Sequence, residues 1–483
     1  MMKTIVKAAI GGLVFVCLAG LCLAGQEKAQ DRRKSLDPKT ETTDDPRRIP
    51  VAPGHRGPEG VIVLKGGRIF DGTGAPVREG TVVIRRNKIE KILPAGASDW
   101  PKEARVIDVA GKTVLPGLID AHTHIDYALP DTPMLMDISE ADAMLRAVER
   151  ARFYLECGIT SIRDVGSLHN VPFRLKEWVS QNRVPAPRIF PAGAFITATG
   201  GHGAEGVDPD ILVPKSTRLA EGPDQWTQAV REQFNRGADL IKVGSHFSRE
   251  EVKAAVEEAH ALGLKVACDA ENFYIQWAVE AGVDVIEHPL PRTDETIALM
   301  ARKGTESVPT LVPYTYIFDQ WGGYFGSTSR RFTFSKEANL DVLRRMKRAG
   351  VKMGIGTDLV TDWFRYLPIP YITELKYFVE AGCTIPEALM AATKTNAEIL
   401  DMSDKLGTLE PGKLADIAVF GGKPDQNLDD LANLDIVIRD GHLVVKGGEA
   451  VIPRHVPVTP PQTKKEGVFR AGSRGSRSNQ SAQ

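Results

Sequence analysis

Three things are scarce in this sequence: cysteine, net charge and repetition. Only five cysteines occur among 483 residues, and they include no Cys-x-x-Cys pair. Two of them, Cys17 and Cys22, lie in an apolar N-terminal run, so we predict neither a disulfide framework nor a structural zinc site made of cysteines. The 61 lysine and arginine residues balance 62 acidic residues, for a net charge of −1. This balance argues against a protein that coats nucleic acid, and we expect no nucleic-acid partner.

No segment of roughly 20–50 residues repeats along the chain, so a repeat architecture is not expected. What the chain has in quantity is apolar material, which makes up 42% of its residues and is enough for a large core. The length predicts two to three domains, although one barrel of about 250 residues could account for half of it.

The N-terminal residues 1–24 have the pattern of a secretory signal peptide. Lys3 and Lys7 precede an apolar run from Ala8 to Ala24, and polar residues follow. We therefore expect an exported protein, periplasmic or extracellular, with no stable membrane insertion after the signal is cleaved. The alternative is an uncleaved segment that anchors the chain, although the run is slightly short for a membrane-spanning helix.

Polar sequence surrounds the body of the chain on both sides. Residues 25–60 are rich in charged residues, proline and threonine and contain almost no large apolar side chain, so we predict a disordered linker. Residues 457–483 are similar in composition, and their five basic residues run from Lys464 to Arg477. This composition predicts a basic, disordered tail.

Short strands with turn signals between them predict a β-rich module at both ends of the body. Residues 61–114 contain alternating apolar residues around Gly-Gly and Asp-Gly pairs, as in VIVLKGGRIFDGTG. Residues 401–456 contain matching stretches, ADIAVF and RDGHLVVKG. We therefore predict a small β-sandwich domain that is built from the N-terminal and C-terminal flanks together.

Residues 115–400 alternate short apolar strands with amphipathic helices. The strand candidates are GLIDAHTH, TSIRDV, RIFPAGA, DLIKV, KVACDA, VDVIEH, SVPTLV and VKMGIGTD. One helix start is clear, because Ser248 and Glu251 have the spacing of a capping box and precede an apolar face with Val252 and Ala255. Eight strands with helices between them predict an α/β fold, a (β/α)8 TIM barrel, whose chemistry sits at the C-terminal ends of the strands.

Residues that can bind metal occur at four of these strands. His122 and His124 are two apart on the first strand, so both imidazoles face the same side and can chelate one ion. Lys242 lies near the end of DLIKV, where a lysine on a buried strand is costly unless it is paired or modified. His288 and Asp358 end the sixth and eighth strands. Each residue alone is commonplace, but together they predict a metal centre.

A series of ordered motifs spans nearly all of residues 61–448. The motifs are GGRIFDGTG, VLPGLIDAHTHID, GITSIRDVGS, PRIFPAGAFITATGGHG, GADLIKV, AVEAGVDVIEHP, GIGTD, EALMAATKTNAEIL and LGTLEPGKLADIAVF. In this order they resemble the metal-dependent amidohydrolase superfamily, and in particular its imidazolonepropionase-like and prolidase-like branch. The resemblance implies two divalent metals, usually zinc, at the mouth of the barrel, and a bridging hydroxide that attacks a carbonyl group polarised by the metals.

Carried over motif by motif, the resemblance implies a role for each polar residue. His122, His124 and Asp358 would hold the first metal, and His288 would hold the second. Lys242, carboxylated by CO2 to a carbamate, would bridge the two metals. Asp358 would also move a proton to the leaving nitrogen.

Two further residues complete the predicted site. His202, in ATGGHG after the third strand, resembles an active-site histidine of the family that contacts the substrate; the alternative is a turn residue between glycines. Asp269 stands where the fifth strand of the family usually has a histidine ligand. A carboxylate can bind zinc, and it also suits Mn²⁺ or Mg²⁺. We therefore predict Asp269 as a ligand of the second metal, with a weakened second site as the alternative.

These features predict an exported amidohydrolase that cleaves an amide, small-peptide or cyclic-amide C–N bond in a small-molecule or dipeptide-like substrate. One alternative is a mononuclear deaminase on the same barrel, and both Lys242 and Asp269 count against it. The other alternative is a catalytically inactive binding protein that keeps the fold, for which Asp269 is the only support. A homo-oligomer is compatible with the sequence, which does not define the oligomeric state.

Overall fold

The computed structural model describes residues 57–127, 139–204, 216–315, 324–326, 331–333 and 335–451. The predicted signal peptide, the predicted linker before residue 57 and the predicted basic tail lie outside these residues. Within the described ranges, no helix is both long and apolar enough to cross a membrane.

The strands are short, as the spacing of turn signals predicts. In chain order they are β1 (Val61–Ile69), β2 (Arg78–Arg85), β3 (Lys88–Pro94), β4 (Arg105–Asp108), β5 (Lys112–Pro116), β6 (Leu118–Thr123), β7 (Ile159–Asp164), β8 (Arg188–Pro191), β9 (Phe195–Thr197), β10 (Thr217–Leu219), β11 (Leu240–Gly244), β12 (Lys265–Asp269), β13 (Val285–Glu287), β14 (Glu306–Val308), β15 (Tyr324–Gly326), β16 (Arg331–Thr333), β17 (Ile417–Gly421), β18 (Leu434–Arg439), β19 (His442–Lys446) and β20 (Glu449–Ala450).

Helices lie mainly between the strands of the middle region. They are α1 (Glu140–Leu155), α2 (Val171–Ser180), α3 (Gly222–Arg236), α4 (Arg249–Ala261), α5 (Phe273–Ala281), α6 (Asp294–Lys303), α7 (Lys336–Ala349), α8 (Ile369–Glu380), α9 (Ile385–Met390) and α10 (Asn396–Ile399). A π-helical turn, Ala391–Thr395, joins α9 to α10, and short 3-10 helices cover Thr361–Tyr366 and Leu428–Ala432.

The capping box predicted before α4 is present. The Ser248 hydroxyl accepts a hydrogen bond from the Glu251 amide, and the Glu251 carboxylate accepts one from the Ser248 amide. The buried face of α4 contains Val252 and Ala255, as the spacing predicts. Reciprocal capping of this kind satisfies two backbone donors that a helix otherwise leaves without partners, and so fixes where the helix begins.

The β-rich flanks of the chain form one nine-stranded sheet. Its order is β20-β19-β18-β17-β5-β1-β2-β3, with β4 beside β1. Strand β5 of the N-terminal flank pairs antiparallel with β17 of the C-terminal flank, with Val114 opposite Val419. One buried apolar cluster contains residues of both flanks, among them Leu64 and Ile438. Both flanks therefore contribute to one sheet, as the sequence predicted, and the sandwich arrangement and the domain boundaries stay predictions.

The middle of the chain forms two parallel sheets, β6-β7-β8 and β10-β9-β11-β12-β13-β14. Backbone hydrogen bonds link them on both sides. Just before β11, the Asp239 amide donates to the Pro191 carbonyl of β8 at 2.9 Å. On the other side, Met353 forms a parallel bridge with Ser307 of β14, and Leu359 forms one with Thr123 of β6. The mixed α/β class is confirmed, and the parallel direction brings the C-terminal ends of these strands to one side.

Candidate metal centre

The seven predicted site residues all lie in parallel strands or directly after them. They are placed by β6 (His122 and His124), the turn after β9 (His202), β11 (Lys242), β12 (Asp269), β13 (His288) and the segment that ends at Leu359 (Asp358). His288 and Asp358 have positive φ angles, 62° and 49°. Residues other than glycine adopt this conformation uncommonly, and such residues cluster at functional sites.

His122, His124 and Asp358 form the first group. Asp358 Oδ1 lies 3.4 Å from His122 Nε2 and 3.3 Å from His124 Nε2. The three donor atoms lie within 4.8 Å of one another, and both histidines are buried. Two ligands held about 2 Å from one tetrahedral ion lie about 3.3–3.5 Å apart. The spacing of this group therefore fits a single metal ion.

The second nitrogen of each histidine explains why a cation is needed here. His124 Nδ1 lies 2.8 Å from the Gly166 carbonyl oxygen, and His122 Nδ1 lies 2.7 Å from Glu287 Oε2. Because these oxygens only accept, each Nδ1 carries the hydrogen, and a neutral ring then has a bare Nε2. Both bare nitrogens face a carboxylate oxygen, and His122 Nε2 has no hydrogen-bond partner in the described chain. Converging acceptors of this kind require positive charge between them.

The electrostatics of the first group agree with this interpretation. Burial and the charge of Lys242 lower the pKa of His122, but the negative charges of Glu287 and Asp358 outweigh them, so the pKa of His122 is raised. Burial raises the pKa of Asp358, but contacts with His122 and His124 outweigh it and hold the pKa well below the usual range. In the metal-free protein a proton can therefore supply the positive charge that a metal ion would bring.

A buried ion pair, Arg163–Glu287, contacts His122 Nδ1 on the side away from Asp358. It was not predicted from the sequence. Arg163 of β7 donates to both carboxylate oxygens of Glu287 in β13, at 2.7 and 2.9 Å. Burial would raise the pKa of Glu287, but Arg163, then His122 and Lys242, lower it to about 2. Glu287 is thus ionised when it accepts the His122 proton. The usable signal was the presence of charged residues within two otherwise apolar strands, TSIRDV and VDVIEH.

Asp269, His288 and His202 form a second group. Asp269 Oδ2 lies 3.1 Å from His288 Nε2 and 3.2 Å from His202 Nε2. Burial lowers the pKa of His288 to about 4, so this ring is neutral at physiological pH. His288 Nδ1 lies 2.8 Å from Thr310 Oγ1 and 3.8 Å from Asp358 Oδ2. His288 therefore connects the second group to the first.

Lys242 is buried, with 4% of its surface exposed, on β11. It pairs in register with Ala267 of the neighbouring β12. In the described part of the chain, no hydrogen bond or ion pair of its amine is found. Its charge lowers the pKa values of both His122 and Glu287, so the amine lies close to the first group. An amine buried in this way is costly unless it is modified or paired.

His246 lies between β11 and α4, with a φ angle of 77° and its ring centroid 5.6 Å from that of Tyr274. The structure therefore places it just before the start of α4. Cys268, beside Asp269, is fully buried in the main apolar cluster, in agreement with a core role.

Comparison with known proteins gives one family. Residues 113–448 match the Amidohydrolase family. An ochratoxinase from Aspergillus niger is 26% identical over 410 residues, which cover 76% of this chain and 82% of the relative. An imidazolonepropionase from Geobacillus sp. (strain WCH70) is 26% identical over 414 residues, which cover 77% of this chain and 91% of the relative.

Solved structures agree in fold. A prolidase complexed with N-methylphosphonate-L-proline is 30% identical, with a TM-score of 0.71, over 80% of this chain and 100% of the other. The matched region of the family includes every residue of the first and second groups.

Proposed function

This chain belongs to the amidohydrolase family and is a hydrolase of carbon–nitrogen bonds, and from that premise we propose that it is an exported, metal-dependent enzyme for an amide, small peptide or cyclic amide. One observation carries the proposal. Two bare imidazole nitrogens and the partly exposed Asp358 carboxylate converge at 3.3–3.4 Å on the side where parallel strands end. That arrangement suits a metal ion better than any pairing of the side chains with one another.

We also propose that the two parallel sheets close into a (β/α)8 barrel beside the β-sandwich domain. Two observations support closure: the Asp239–Pro191 hydrogen bond on one side, and the bridges of Met353 and Leu359 on the other. In such a barrel the mouth is formed by the loops that follow the strands. The site residues would then surround one opening, and a small substrate could enter there.

We propose two divalent ions, with zinc at least in the first position; the spacing of the first group supports the first of them. His122, His124 and Asp358 would hold the first ion, and His288 with Asp269 would hold the second. When bound, such ions lower the pKa of a water molecule and polarise a carbonyl group. Asp269 is a harder ligand than histidine, so Mn²⁺ or Mg²⁺ would compete better at the second position.

Lys242 would connect the ions as a carbamate formed with CO2. The neutral amine is the form that adds CO2. The ammonium first loses one proton, and addition of CO2 to the resulting amine forms a nitrogen–carbon bond and releases a second proton, so the positive side chain becomes a negative one. This change would remove the cost of a buried amine that has no partner among the described residues.

We assign the proton transfer to Asp358. Its low pKa keeps it ionised, and 15% of its side chain is exposed, whereas the His122 side chain is fully buried. Its Oδ1 faces both histidines of the first group, while Oδ2 faces His288 at 3.8 Å. In the proposed reaction Oδ2 would accept a proton from the attacking water and return it to the leaving nitrogen.

A substrate panel tests the reaction class. The full-length chain, loaded with Zn²⁺, would be incubated with Xaa-Pro dipeptides, N-acylated amino acids and lactams, and free amine would be measured. We expect release of amine from at least one class, and none from a His122→Ala/His124→Ala variant. Ammonia release from amino-substituted heterocycles alone would indicate the deaminase, and no turnover of any compound by a metal-loaded chain would indicate a binding protein.

A further inference from the structure

We propose that Asp120 is a positioning residue that holds the two sides of the first metal site at the separation one ion requires. One side is β6, which carries His122 and His124, and the other is the segment that ends at Leu359, which carries Asp358. The inference rests on the proposed function in assuming that the first group binds a metal. Asp120 is not itself a ligand in this proposal, because both of its carboxylate oxygens accept hydrogen bonds from the protein.

The Asp120 carboxylate contacts both sides of the site. Its Oδ1 accepts hydrogen bonds from the His122 amide at 3.2 Å and from the Thr357 amide at 3.0 Å. Its Oδ2 accepts one from the Thr357 hydroxyl at 2.5 Å. Asp120 and Thr357 are fully buried, where polar groups are costly unless they are hydrogen-bonded. One buried side chain thus joins a ligand in β6 to the residue directly before Asp358.

Side-chain contacts replace the regular pairing of the two backbones at this point. The Ala121 amide donates to the Ile355 carbonyl at 2.9 Å, as in a parallel pair of strands. In a regular parallel pair the Ala121 carbonyl would next accept from the Thr357 amide. Instead, Arg163 Nε donates to that carbonyl, and the Thr357 amide donates to Asp120. The ladder of backbone hydrogen bonds is therefore interrupted at Thr357, and Asp120 supplies the acceptor that the interruption removes.

The interruption lies directly before the ligand that it orients. Backbone pairing resumes with the Asp358 amide, which donates to the His122 carbonyl at 2.7 Å. Asp358 has a φ angle of 49°, a conformation that residues other than glycine keep only where the surrounding contacts hold it. Gly356 lets the two backbones come this close, because a Cβ there would lie 2.7 Å from the Cβ of His122. The hydrogen bonds of Asp120 therefore hold the stretch of chain from which Asp358 reaches the two histidines.

Zinc affinity, measured beside stability, tests this role. Full-length wild type, Asp120→Ala, Asp120→Asn and a control, Thr305→Val, would be compared by Zn²⁺ competition with a chromophoric chelator and by denaturant titration. The control removes the hydrogen bond from the Thr305 hydroxyl to the Val283 carbonyl, which lies before β13 and β14, at the strand ends away from the site. It should change the free energy of unfolding and leave Zn²⁺ affinity as in the wild type.

The two substitutions of Asp120 should differ from each other. Asp120→Ala removes all three hydrogen bonds, so we expect the Zn²⁺ dissociation constant of the first site to rise by about 10–100-fold, as for partners behind metal ligands. Asp120→Asn keeps Oδ1 for the two amides, and its NH2 group can donate to the Thr357 hydroxyl oxygen. We therefore expect it to bind Zn²⁺ nearly as tightly as the wild type.

A further variant covers the case in which Asp120→Ala does not fold. Thr357→Val removes one of the three hydrogen bonds and should weaken Zn²⁺ binding by roughly 2–10-fold, which corresponds to one net hydrogen bond. Wild-type affinity in a folded Asp120→Ala or in Thr357→Val overturns the inference. Binding by Asp120→Asn that is as weak as that of Asp120→Ala also overturns it, because loss of charge would then be the cause. A wild type that binds Zn²⁺ but hydrolyses no substrate would count against the proposed function and not against this role.

Discussion

Glu287→Gln should move the ring hydrogen of His122 from Nδ1 to Nε2 and lower the affinity of the first site for its metal ion. In the wild type Glu287 accepts the His122 Nδ1 hydrogen at 2.7 Å and two hydrogens from Arg163 at 2.7 and 2.9 Å. A glutamine has one acceptor oxygen, and Arg163, which only donates, will take it. The amide NH2 then faces His122 Nδ1 and donates to it. The ring hydrogen must move to Nε2, which is the nitrogen that would bind the metal.

The size of the effect follows from the interaction that is lost. A hydrogen bond to a charged group is worth about 1.5–3 kcal/mol net, which corresponds to roughly 10–150-fold in affinity. Partners behind metal ligands typically change metal affinity by 10–100-fold. We therefore expect Glu287→Gln to raise the Zn²⁺ dissociation constant of the first site by about 10–100-fold. Competition with a chromophoric chelator at fixed pH measures this directly.

Two further variants make the result interpretable. Glu280→Gln removes an exposed carboxylate that pairs with Arg249, so it should leave metal affinity unchanged. Breaking the buried ion pair costs about 3–5 kcal/mol and could unfold Glu287→Gln. Glu287→Asp is the alternative in that case, because it keeps the negative charge opposite Arg163, and with it the fold, while its shorter side chain weakens the contact with His122. A folded Glu287→Gln chain that binds Zn²⁺ as tightly as the wild type would refute the reasoning.

Three other predictions follow. Lys242→Ala should lose the bridge and most activity, and short carboxylic acids should partly restore turnover; activity equal to that of the parent would contradict the carbamate. Burial raises the pKa of Glu374 to about 8, so the folded chain keeps a proton that the unfolded chain loses near pH 4.5. The free energy of unfolding, measured by denaturant titration, should therefore fall by at most about 5 kcal/mol as the pH rises from about 4.5 to 8. Glu374→Gln should flatten this pH dependence. If the variant's free energy falls with pH as steeply as that of the wild type, Glu374 is not the cause. Export predicts a mature chain that begins near Gly25, which N-terminal sequencing of native envelope material would show. A chain that begins at Met1 in the soluble cytoplasmic fraction would contradict it.

The strand positions of the candidate site residues could be predicted from the sequence because they follow from strand direction. His122, Lys242, His288 and Asp358 were each assigned to the end of a separate apolar strand, and parallel strands bring such ends to one side. The spacing of His122 and His124 fixed their common face, since alternate residues of a strand share one. The contribution of both flanks to one sheet was predicted from matching strand and turn patterns alone.

Contacts between distant segments were not predictable from local patterns. Arg163 and Glu287 are 124 positions apart. No local pattern in either strand predicts that the two side chains form an ion pair beside His122. His202 and Asp269 come from different parts of the chain. The contact of both His202 and His288 with Asp269 Oδ2 could therefore be seen only in the structure.

Metal content of the His122→Ala/His124→Ala variant tests the central claim most directly. Wild type and variant would be purified as full-length chains, exposed to the same Zn²⁺ concentration, freed of loosely bound ions and measured by elemental analysis, with circular dichroism to confirm that both are folded. The two bare nitrogens that converge on Asp358 predict that the variant loses at least the first ion and all C–N bond hydrolysis. Undiminished metal in a folded variant would contradict the assignment of the site and the account built on it.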